Sequence, residues 1–211
     1  MPRDLANTPL FHITDVDNLA DIAASGYLLS DMRLAAGGGP KVGIGYDHIK
    51  QRRMTQTRVP CSGNRFVGEF VPFYFCPRSP MLFVVNKGRT GRPPGCQRTI
   101  LHLVTSVDVA MATGNHWAYS DGNAGAGYPS FYDDITELDA RLSWDAINER
   151  NNWSPVTTAK QAEFLVADTY PWEAIRAIGC YGDAIAQQVA NLIVGFEHKP
   201  TILVKQNWYY S

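Results

Sequence analysis

Little in this sequence points to a metal or to a disulfide framework. The 211 residues hold four cysteines, Cys61, Cys76, Cys96 and Cys180, and no two of them form a CxxC pair. The ligand spacing of a structural zinc site is therefore missing, no metal is expected, and a reducing compartment would leave the four as free thiols. No apolar run reaches the 18 residues of a membrane span. Met1 to Asn7 lacks the apolar stretch of a signal peptide, so the expected location is cytoplasmic. The glycine-rich stretch at 35–45 (AAGGGPKVGIG) has no GK[ST] after it and is not a phosphate loop. G-x-S-x-G and H-E-x-x-H are absent, as is G-x-G-x-x-G in a strand–helix context, which leaves serine hydrolases, zinc proteases and Rossmann dehydrogenases without support. Repeats, low-complexity tracts and interdomain linkers are missing too, and the expectation is one domain over residues 1–211.

What the chain does have is an uneven charge distribution. The net charge is −1, yet residues 41–98 contain eleven Lys or Arg against two acids, Asp47 and Glu69. A concentrated basic block suits a polyanionic partner or a solvated loop region. Phe66, Phe70, Phe73, Tyr74, Phe75 and Phe83 lie among these cations. Aromatics interleaved with basic residues are what stacking of single-stranded bases requires, although some must be core.

Periodicity and turn residues give an α+β chain with irregularly interleaved elements. Strands are expected at Thr8 to Thr14, Val71 to Cys76, Ile100 to Val104, Trp117 to Ser120, Ala162 to Ala167, Ile175 to Tyr181 and Thr201 to Lys205. Helices are expected at Val16 to Ser25 (N-cap Asp15, stop at Gly26), around Tyr46 to Met54, at Ser106 to Thr113, near Phe131 to Leu142, at Trp144 to Glu149 and from Ala184 to about Phe196, capped by Asp183. Met81 to Val85 fits strand or helix.

Some residues fit no purely structural pattern. His12 and Thr14 share one face of an extended segment and could bind a sugar or an amide; a satisfied structural histidine is the alternative. Glu163 lies in an otherwise apolar strand, where a carboxylate needs a partner, a task or an edge facing water. Arg52 and Arg53 sit on a short helix, a place where arginines are commonly solvated. Arg78, between Pro77 and Ser79, is held in a turn that could present it to a phosphate.

Several stretches, taken together, are familiar. TPLFHIT and DVDNL at 8–19, GYDHIKQRR at 45–53, VPFYFCPRSPML at 71–82, ILHL at 100–103, KQAEFLV at 160–166 and WYY at 208–210 occur in this order across nearly the whole chain. The sequence resembles the DarT family of DNA ADP-ribosyltransferase toxins. The resemblance implies an ADP-ribosyltransferase-like fold, with a split, mostly antiparallel sheet core flanked by helices and NAD as co-substrate in a central cleft. It implies transfer of ADP-ribose to a thymidine base at N3 in single-stranded DNA, with the guanosine-modifying branch matched less well. It also implies a macrodomain antitoxin as partner. By position, His12, Thr14, Asn18, Tyr74 and Met81 would line the NAD pocket. Arg53 and Glu163 would be catalytic, with Glu163 one candidate acceptor for the thymine proton. The loop from Asp121 to Phe131 would face the substrate, with Asn123 where some relatives carry histidine. Arg52, Arg78 and Asn123 are the expected DNA contacts. Two other readings stay open: transfer to RNA or protein, and a non-catalytic module that binds single-stranded nucleic acid.

Overall fold

The computed structural model describes residues 4–125 and 129–211. An eight-stranded sheet runs through it. Its strands in chain order are β1 (Pro9–Asp15), β2 (Phe70–Tyr74), β3 (Ile100–Ser106), β4 (Trp117–Ser120), β5 (Phe131–Tyr132), β6 (Glu163–Ala167), β7 (Ala177–Cys180) and β8 (Thr201–Val204). In space they lie in the order β8-β7-β3-β1-β2-β6-β4-β5. Only β7 and β8 pair in parallel, and the helix Asp183–Ile193 crosses between them.

The sheet is split between β1 and β2. On its outer side β1 pairs with β3 without a break, from Pro9 opposite Ser106 to Asp15 opposite Ile100. β2 pairs equally fully with β6, from Phe70 opposite Ala167 to Tyr74 opposite Glu163. Between the two halves only Phe11 and Tyr74 register. The cause is Pro72. Continuing that register would set Ile13 against Pro72, which has no N–H to give. Its carbonyl instead accepts a 2.8 Å hydrogen bond from Nδ1 of His12. A side chain thus replaces the missing rung, and the strands diverge toward the end of β1.

Four helices cover this opening or flank it: α1 (Leu19–Ser25), α2 (Asp31–Ala36), α3 (Asp47–Thr55) and α4 (Pro80–Asn86). Asp15 caps the turn before α1 by accepting from the Asp17 amide, and Gly26 ends α1 at φ 74°. The ambiguity at Met81 to Val85 resolves as helix: Ser79 accepts from the Leu82 N–H and Pro80 occupies the first turn, where its lost donor costs nothing. The helix expected near Phe131 to Leu142 is present only in its second half, as a 3-10 turn at Ile135–Glu137 running into the α-helix Leu138–Arg141. Phe131–Tyr132 instead pair with β4 as the edge strand β5. The sheet's need for another strand overrode local propensity there. A second small sheet pairs Tyr27–Leu29 with Thr169–Pro171. Among the described residues no helix is long and apolar enough to cross a membrane.

His102, in β3, is fully buried against Trp208 and Tyr209. Its Nε2–H donates to the Pro77 carbonyl. Burial holds its pKa down to about 4, with the Pro77 bond opposing. Because the unfolded chain binds that proton near 6.5, stability rises with pH across this window. The urea midpoint should therefore fall as pH is lowered from 6.5 toward 4, more steeply than in His102→Gln. Equal slopes for the two proteins would contradict this.

Candidate active site

The split opens into a cavity of about 350 Å³, the size of a small-ligand site. His12 and Thr14 reach it from β1, Tyr74 from β2, Glu163 from β6, Arg53 from α3, and Met81 from the first turn of α4. Asn123 reaches it from the loop after β4. Residues far apart in the chain therefore meet where the two half-sheets part.

Glu163 is the first residue of β6 and is 1% exposed. It does not face water, as an edge-strand reading would allow. Arg53 lies opposite, 7% exposed rather than solvated. Its Nη1 donates to both carboxylate oxygens, at 3.0 and 3.2 Å, and the Ala124 N–H donates to Oε1 at 2.9 Å. A carboxylate offers about four lone-pair positions, so this one keeps an acceptor position for a ligand hydroxyl. Burial would lower the Arg53 pKa, but the negative charges of Glu163 and Asp31 outweigh it and hold the guanidinium more firmly protonated. Its Nη2 is buried and has no hydrogen-bond partner among the described residues.

The helix carrying Arg53 is seated by glycines. A Cβ on Gly68 would lie 2.7 Å from Cγ and 2.9 Å from Cα of Met54; one on Gly125 would lie 3.0 Å from Cγ of Arg53. Both glycines let backbone come up against α3.

His12 is half-buried, and loss of water around its ring lowers its pKa against the pull of the Pro72 bond and of Asp31. With Nδ1–H donated to Pro72, the neutral ring presents Nε2 as an acceptor. Burial, and after it the Glu163 charge, raises the Tyr74 pKa, so its phenol keeps its proton. Asn18 lines the cavity, but its amide is spent on structure. Nδ2 donates to Thr14 Oγ1 and to the Val42 carbonyl, and Oδ1 accepts from the Val42 N–H. It ties the glycine-rich loop to β1.

The expected DNA contacts divide. Asn123 lies at the cavity, with Oδ1 held by the Gly125 N–H. Arg52 is half-buried on α3 and does not line the cavity. Arg78 does not line it either; it lies over the Tyr210 ring at 4.7 Å. Residues 126–128 of the expected substrate loop lie outside the described residues. The basic block is also less available than its composition suggests. Arg65 binds Glu69 and Asp168, Arg92 binds Asp15, and Arg58 lies over Phe66. The sequence reading missed Asp31, whose Oδ2 lies 3.7 Å from Arg53 Nε. Serine followed by aspartate ahead of a short helix was the available signal.

A family model described as "ssDNA thymidine ADP-ribosyltransferase, DarT" matches residues 11–210. The chain belongs to this family. It is similar to the DNA ADP-ribosyl transferase of Thermus sp. (strain 2.9), with 35% identity over 209 residues that cover 96% of each chain. Solved structures of Thermus sp. 2.9 DarT, one in complex with ADP-ribosylated ssDNA and one with NAD+, superpose over the full length of both chains. Their TM-scores are 0.88 and 0.85 at 33% and 31% identity. The expected ADP-ribosyltransferase fold, with its split, mostly antiparallel sheet, is the one observed.

Gly68→Ala should push α3, and Arg53 with it, away from Glu163. The expected cost is about 1–3 kcal/mol of stability by denaturant titration. Activity should fall further than that loss explains when measured where the variant is fully folded. Unchanged kinetics would show that α3 is not seated through Gly68.

Proposed function

We propose that the protein cleaves NAD and joins its ADP-ribose to N3 of a thymine in single-stranded DNA, releasing nicotinamide. The observation that carries this reading is the buried Arg53–Glu163 pair at the mouth of the split, in a cavity that also holds His12 and Tyr74. The family assignment and the Thermus complexes with NAD+ and with ADP-ribosylated ssDNA support it.

The bond that breaks joins nicotinamide to C1″ of a ribose. Positive charge spreads onto that ribose as in glycoside cleavage. Glu163, hydrogen-bonded by Arg53 and the Ala124 amide, would accept a hydrogen bond from the 2″-hydroxyl and stabilise that charge. His12 Nε2 would accept from the carboxamide or a ribose hydroxyl. Thr14 would bind at the same end, and Tyr74 and Met81 would pack against the nicotinamide. Asn18 would act by holding the glycine-rich loop over the cofactor. Arg53 stays protonated and cannot serve as a base. Its Nη2, without a partner among the described residues, would stabilise negative charge developing on the thymine ring as N3 loses its proton. Asn123 would meet the entering nucleotide, and Arg52 and Arg78 its phosphates. N3 lies on the Watson–Crick edge, so the target base must be unpaired.

A DNA substrate suits a cytoplasmic enzyme. The partner expected from the toxin family is a macrodomain antitoxin that removes the modification. The NAD reading itself involves no metal.

Glu163→Gln keeps the size of the side chain and removes its charge. Transfer to a thymidine oligonucleotide, followed by mass spectrometry, should slow by about 10²–10³. A rate within a few-fold of the unsubstituted protein would remove Glu163 from the mechanism.

A further inference from the structure

Joining thymine to ADP-ribose through N3 requires a place for the N3 proton, and the two residues at the centre of the site are poorly suited to receive it. Arg53 is a cation between two carboxylates. Glu163 is sealed from solvent and already accepts from Arg53 and the Ala124 N–H. Its remaining lone-pair position is the one the ribose hydroxyl would use.

Asp31 differs on each count. It lines the same cavity, and its side chain is 23% exposed. Its interaction with Arg53 Nε, at 3.7 Å, is an ion pair too long for a hydrogen bond. Among the described residues no hydrogen-bond donor engages its oxygens, and solvent lies beside them to carry a proton away.

The surrounding structure fixes Asp31 in place. It opens α2 directly after Ser30, whose hydroxyl accepts from the Arg33 N–H. The Ser30 N–H in turn donates to the Asp168 carbonyl. Asp168 is held at φ 64°, a left-handed conformation uncommon outside glycine. Its carboxylate is tied to Arg33 and Arg65. Strained backbone supported in this way is commonly found beside functional groups.

We propose that Asp31 is the general base of the transfer, the acceptor of the thymine N3 proton. The proton passes from N3 to an Asp31 oxygen, and the N3 electron pair forms the bond to C1″. The C1″–nicotinamide bond breaks with its pair going to the nicotinamide nitrogen, which loses its positive charge. Arg53 lies between the two carboxylates and stabilises the thymine anion during the transfer. The assignment rests on the thymidine reading given above.

The test compares the unsubstituted protein with Asp31→Asn and Asp31→Glu, on one oligonucleotide carrying thymidine and on one carrying 5-fluorodeoxyuridine, whose N3–H is more acidic. Asp31→Asn should lower kcat on thymidine by about 10²–10⁴ with little change in KM for NAD. Its deficit should shrink on the fluorinated base and as pH rises, because a more acidic or already ionised N3 needs less help. Asp31→Glu should recover part of the rate, and it carries the test should the asparagine variant melt early. A near-normal rate in Asp31→Asn would overturn the assignment alone, as would a deficit equal on both bases and at every pH. Absence of any thymidine adduct with the unsubstituted protein would overturn the substrate reading and this assignment with it.

Discussion

The ion pair between Arg53 and Glu163 is the constraint on which the site depends. Two opposite charges taken out of water are costly to bury, and each offsets much of that cost for the other. Glu163 belongs to the sheet and Arg53 to a helix laid across the sheet's opening. The pair therefore fixes the helix to the sheet one strand away from the split. Gly68 and Gly125 let neighbouring backbone press against the same helix. Any loosening there separates the charges and exposes both.

The split has its own local cause. A proline in β2 withholds a donor from β1, and the His12 imidazole takes up the stranded carbonyl. One hydrogen bond then does two things: it closes the apex of the opening and fixes the tautomer that leaves Nε2 as an acceptor. The glycine-rich loop is tied by Asn18 through two bonds to Val42. The cavity walls are thus set by side chain–backbone bonds where a regular ladder would otherwise run. Such walls leave ring nitrogens, hydroxyls and carboxylates facing inward.

Much of this was legible in the sequence. Strand β3 and the helix Asp183–Ile193 follow from alternation, periodicity and flanking turn residues. An apolar strand interrupted at its start by Glu163 marked a carboxylate in need of a partner, a task or water, and Arg53 is its partner. The resemblance placed His12, Thr14, Tyr74, Met81, Asn123, Arg53 and Glu163, and all of them line one cavity. Other features were not legible, for physical reasons. Strand β5 has a weak pattern because only pairing with β4 makes it a strand. The availability of a basic residue depends on its neighbours, so composition alone overstated the positive face: Arg65, Arg78 and Arg92 are engaged by acids or an aromatic ring of this chain. Asp31 escaped notice because its environment is built by the pairing of Tyr27–Leu29 with Thr169–Pro171, a contact between segments about 140 residues apart that no local rule reveals.

The central claim is that Arg53 and Glu163 each depend on the other for much of the stability of their burial. A double-mutant cycle on folding stability tests this most directly, using Arg53→Gln, Glu163→Gln and the two combined. Each single change removes a buried charge's nearest partner, Arg53 keeping only the 3.7 Å contact with Asp31, and should cost about 3–5 kcal/mol. The combined variant, with neither charge left, should be more stable than the sum of the single losses predicts, by well over 1 kcal/mol. Losses that simply add would mean that the two side chains are buried for separate reasons, and that the pair does not hold the site together.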